Sequence, residues 1–116
     1  MEIKNAIIKS TFLGFEDHGF FTFILDLDYG GSGQGVGLFC LDHKEWDRNE
    51  GQKDDAQLAK SFRLIEKILN VIGVDSWEEL PGKHIKVKAE HTKVHEISHI
   101  LKENWLNFEK FLNPEK

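Results

Sequence analysis

His95-Glu96-Ile97-Ser98-His99 has the spacing with which a helix offers two imidazoles to one metal ion and a carboxylate to the water that the ion binds. Residues four apart on a helix share a face, so His95 and His99 would hold zinc and Glu96 would act as the base in a hydrolysis. The surrounding sequence opposes this chemistry. A helix here runs its apolar stripe through Val94, Leu101 and Trp105, which turns both histidines to the polar side with His91, Lys102 and Glu103. Lys93 places a charge where peptidases of this kind carry an uncharged residue. A third ligand would have to be Glu103 or Glu109, and neither comes from a second helix. A zinc-dependent hydrolase therefore stands as the alternative. The leading expectation is a protein without catalytic residue, metal or cofactor.

A second group lies around a glycine run, Gly30-Gly31-Ser32-Gly33-Gln34-Gly35-Val36-Gly37, in which five of eight residues are glycine. Glycine costs the most to order, so such a run marks a sharp turn or a close approach to the backbone. It lacks the Lys-Ser/Thr of a phosphate loop and leads into a strand rather than a helix. A hairpin placed there sets Asp26 and Asp28 about 7 Å apart on one strand face, beside Gly33 and Gly35 and with Lys9 opposite Asp26. This acidic shelf suits a cation, an amine or a basic protein segment. An ordinary cross-strand pair over a bent hairpin is the plainer account of the same residues.

Three further features stand out. Lys86 and Lys88 share the outward face of strand 83–90 with His84, a basic stripe for an anionic ligand or a solvated strand face. Trp46 sits in the charged loop 42–54, as a cap on the core or an exposed anchor. Cys40 reads as a small core residue, Trp77 and Trp105 as core packing.

The elements that position these groups follow from periodicity. Alternation predicts strands over 3–15, 20–28, 33–41 and 83–90. Leu58, Phe62, Ile65, Leu69 and Ile72 predict a helix over 55–70 closed by Gly73, and Ser76-Trp77-Glu78-Glu79 a short helical turn. Val94, Ile97, Leu101, Trp105, Phe108 and Leu112 predict a second helix over 92–112. The expected fold is a single α+β domain over 1–116: a three-stranded antiparallel meander, a fourth strand, and two helices packed on one face. A turn centred on 17–18 puts Phe12, Ser10, Ile8 and Ala6 on the covered face. Phe15, Leu13, Phe20, Ile24, Phe39 and Leu41 then fall on the other, a patch that predicts a homodimer or higher oligomer.

The composition is that of a globular chain of 116 residues, 40% hydrophobic and 30% charged. A net charge of −5 disfavours non-specific nucleic-acid binding. One cysteine excludes an internal disulfide and fits a reducing cytoplasm. The residues from Met1 have no leader-like apolar run, and no stretch reaches the length of a membrane span.

The segments Ser10–Gly19, Leu27–Gly35 and Trp77–Val87, followed by the expected C-terminal helix, resemble small proteins of tailed phages and prophages. The resemblance implies a binder rather than an enzyme, acting in the host cytoplasm. Such proteins inhibit host-defence complexes or sequester small nucleotide signals. It assigns no role to any residue.

Overall fold

The computed structural model describes residues 1–17, 19–42 and 55–114. Among these the chain forms six strands, β1 (Glu2–Phe15), β2 (Phe21–Asp28), β3 (Gly33–Gly37), β4 (His84–Ala89), β5 (Val94–His99) and β6 (Leu106–Asn107). Two helices accompany them, α1 (Asp55–Ile72) and α2 (Phe108–Leu112), with a 3-10 turn at Trp77–Glu79. The fold is α+β. The strands make one antiparallel sheet in the order β3-β2-β1-β4-β5-β6, two three-stranded meanders joined where β1 meets β4.

The β2–β3 register is the expected one, with Asp26 facing Gly35 and Asp28 facing Gly33. The β1–β2 register holds only at one end. Ile8 faces Leu27, but Lys9 is an extra residue, and beyond it Ser10 rather than Lys9 faces Asp26. A one-residue bulge sends every later side chain to the other face. Thr11, Leu13 and Phe15 therefore pair with Leu25, Phe23 and Phe21 on the helix side of the sheet, where Leu13 and Phe15 remain 36% and 60% exposed, while Ser10 and Phe12 turn outward. The outward apolar patch expected from the sequence is redrawn accordingly: Leu13 and Phe15 leave it, and Phe12, 40% exposed, joins Ile24 on that face. β3 also stops at Gly37, where Leu38 takes a positive φ of 61°, so Phe39 and Leu41 leave the sheet and pack into the core.

The covered face carries Ala6, Ile8, Phe23, Leu25, Leu27, Val36, Ile85, Val87 and Ile97. Leu64, Ile68 and Val71 of α1 and Phe108 and Leu112 of α2 join them in one core cluster. α1 ends at Gly73, whose φ of 89° lets the N–H groups of Gly73 and Val74 both reach the Leu69 carbonyl. The sheet curls far enough for its edge strand to meet the β4–β5 turn. The Gln34 side-chain amide donates to the carbonyls of Glu90 and His91, at 3.0 Å each, and its Oε1 accepts from the Tyr29 hydroxyl at 2.6 Å.

Residues 92–112 are not a helix. They form β5, a turn, β6 and the five-residue α2. β5 contains a second bulge: Glu96 faces Lys88 and Val94 faces Ala89, leaving His95 as the extra residue. Asn104 fixes the turn after β5. Its Oδ1 accepts from Ser98 Oγ and the His99 N–H, and its Nδ2 donates to the Val71 carbonyl at the end of α1.

Candidate functional site

The structure brings Lys9, Asp26, Asp28 and Gly33 together around a shallow depression of about 270 Å³, with Gly31 and Ser32 at its rim. Asp26 Oδ2 accepts from Ser10 Oγ at 3.3 Å, and Asp28 Oδ1 accepts from the Gly30 N–H at 2.7 Å. The second bond is an Asx turn, which holds the hairpin and the carboxylate in one orientation. Gly35 faces Asp26 from β3 but does not line the depression.

The glycines of this region have separate reasons. Gly30 and Gly31 turn the chain with φ of 87° and 129°. Gly33 and Gly37 sit where a β-carbon would run into the carbonyl oxygens of Leu27 and Phe23. Gly35 has ordinary room, its nearest neighbour for an added β-carbon being Ile24 Cγ2 at 3.9 Å. Close approach of β3 to β2 thus demands two of the three strand glycines.

On the outer face of β4, Lys86 and Lys88 are not an open basic stripe. Lys86 Nζ lies 2.9 Å from Glu103 Oε1, and Lys88 Nζ lies 3.9 Å from Glu96 Oε1. Both ammonium groups sit over the Trp105 ring, at 5.4 and 4.4 Å from its centre, and Trp105 Nε1 donates to Glu103 Oε2 at 2.7 Å. Trp105 is therefore an outer-face residue gripped by two lysines rather than core. The Lys86 hydrogen bond, then that from Trp105, holds the Glu103 carboxyl below its ordinary value.

The His95–His99 segment is β5, so the helix that HExxH chemistry needs is absent from it. Four strand residues span about 13 Å, against about 6 Å on a helix, too far for two imidazoles to share one ion. His95 Nε2 is buried 3.4 Å from Glu90 Oε2 and makes no hydrogen bond among the described residues, while Glu96 faces Lys88. His99 Nδ1 accepts from the Leu101 N–H at 3.0 Å, and its ring lies against Gly73.

Cys40 is half-buried just past β3, its thiol 3.8 Å from Asp42 Oδ1, while Asp42 also accepts from the Phe21 N–H. Trp77 packs edge-on against Phe23 as expected. Trp46 lies outside the described residues.

Sequence reasoning missed one feature. A groove of about 320 Å³ lies between the first half of α1 and the sheet, lined by Leu58, Phe62 and Ile65 of the helix and by Leu13, Phe21 and Leu41. Its only polar lining residue among those described is Ser61. Ser61 lies on the buried face of α1 with Leu64 and Ile68, and strict alternation along β1, without its bulge, puts Leu13 on the face away from it.

No family model, no curated protein and no solved structure matches this chain. Among the described residues, no helix is long and apolar enough to cross a membrane.

Proposed function

We propose that this protein is a non-catalytic binding module whose contact surface is the depression at the β2–β3 hairpin. The carrying observation is the pair Asp26 and Asp28, held at the rim of that depression by Ser10 and Gly30. β3 beside it ends the sheet order, and its sequence Gly33-Gln34-Gly35-Val36-Gly37 has none of the lysines or prolines that usually blunt an edge. An extended basic segment that adds along β3 would find backbone partners there and two carboxylates for its side chains. The resemblance of Ser10–Gly19, Leu27–Gly35 and Trp77–Val87 to small phage proteins supports a module that occupies a host protein. Sequestering an anionic nucleotide is less well served, since Lys86 and Lys88 already meet Glu103 and Glu96.

Fluorescence anisotropy with a labelled peptide of alternating lysine and valine tests this. Wild-type protein should bind it in a salt-sensitive manner, and Asp26→Asn/Asp28→Asn should weaken binding by about tenfold or more. Equal binding by the variant, or none by the wild type, would sink the proposal.

A further inference from the structure

Ser61 Oγ is buried, lines the groove beneath α1, and has no hydrogen-bond partner among the described residues. A serine inside a helix ordinarily bonds the carbonyl one turn back; this one does not. Buried hydroxyls without a partner are rare, because the group has given up water and received nothing in exchange. Here the hydroxyl faces a groove whose other lining residues, Leu13, Phe21, Leu41, Leu58, Phe62 and Ile65, are all apolar.

We infer that this groove is a binding site for a small neutral molecule with an apolar body and one oxygen that hydrogen-bonds Ser61 Oγ. The described lining carries no ionisable side chain, so a charged ligand would lose its hydration without gaining a counter-charge. Its volume of about 320 Å³ stands at the lower end of ligand pockets and is about twice that of a cavity known to admit benzene. One ring with a short substituent fits; a nucleotide or a long acyl chain does not. Phe62, 68% exposed at the mouth, offers an aromatic face to such a ring. The site is separate from the acidic depression and does not depend on it.

The probes are 4-propylphenol and propylbenzene, which differ by one hydroxyl, titrated into the full chain and followed by amide NMR. Both should perturb Leu13, Phe21, Leu58, Ser61 and Ile65, saturably. The phenol should bind more tightly by about three- to tenfold, the worth of one neutral hydrogen bond. Ser61→Ala should remove that advantage and leave propylbenzene unaffected. The comparison of the two probes in wild-type protein needs no variant. Absence of saturable binding by either probe, equal affinity of the two for wild type, or shifts elsewhere would overturn the inference. So would a dimer in sedimentation that the phenol dissociates, which would make the groove a self-association surface. Asp26→Asn/Asp28→Asn should bind the phenol as wild type does, so the two sites fail or succeed separately.

Discussion

Gly37 lies against Phe23 so closely that a β-carbon on the one would overlap the carbonyl oxygen of the other. The same glycine has a φ of 130°, which side-chain-bearing residues rarely adopt. Gly37→Ala should therefore cost at least about 2 kcal/mol in chemical denaturation, from clash and backbone strain together. Gly33→Ala, which meets the Leu27 carbonyl, should follow it, whereas Gly35→Ala should lie within about 0.5 kcal/mol of wild type. Equal effects at all three positions would remove the distinction between them.

Tyr29 is the sole tyrosine of the sequence, so its ionisation can be followed directly by ultraviolet titration. Burial raises its pKa above 10.0, because the phenolate would lose hydration. A group with a raised folded pKa contributes its stability below the unfolded value and loses it as pH rises through the folded one. The folded protein should ionise above pH 10.0, and denaturation midpoints should fall over that same alkaline window. Ionisation at or below the ordinary value would contradict this.

Glu103 behaves in the opposite sense. Its folded pKa is depressed below 4.5 by Lys86 and then Trp105, so its pairing is complete at neutral pH and is lost as acid carries the protein through the depressed value. Carboxyl NMR titration should show this shift. Lys86→Met should abolish more of it than Trp105→Phe does, and an unshifted Glu103 in wild type would show that the contact does not persist in solution.

These two ends of the molecule also show what the sequence could and could not reveal. The existence of β1 to β4, α1, the Gly73 stop and the Trp77 turn follows from period and punctuation, but β3 ends at Gly37 instead of 41, and α1 buries Ser61, Leu64, Ile68 and Val71 where the expected stripe ran through Leu58 and Phe62. The Asp26/Asp28 shelf was legible because the β2–β3 register is regular. Both large misreadings come from single extra residues. Lys9 reverses the faces of the second half of β1, so Leu13 and Phe15 turn to the side that carries Phe23 and Phe21. His95 stretches the same-face spacing of Val94 and Ile97 from two to three, which imitates a helix. Leu101, 85% exposed, and Trp105, on the outer face, then completed a stripe that no surface shares. A bulge shifts the hydrophobic period without declaring itself as a bulge, and only cross-strand partners reveal it.

The strand geometry of His95 and His99 makes a metal prediction. Protein purified without added zinc should carry no stoichiometric metal, and His95→Ala and His99→Ala should change stability additively, as separate sites do. Stoichiometric zinc that is lost in the double variant would restore the hydrolase alternative with Glu96 as its base.

The Gln34 amide joins the carbonyls of Glu90 and His91 across 56 and 57 residues of sequence. It acts as a clasp between the free margin of one meander and the hairpin tip of the other. Fraying of β3 must therefore undo a contact at the far end of the chain, and the two regions should open as one cooperative unit. Amide hydrogens of Gln34 and Val36 should then exchange with deuterium at rates matched to those of the Glu90–Lys93 turn, and Gln34→Ala should uncouple them.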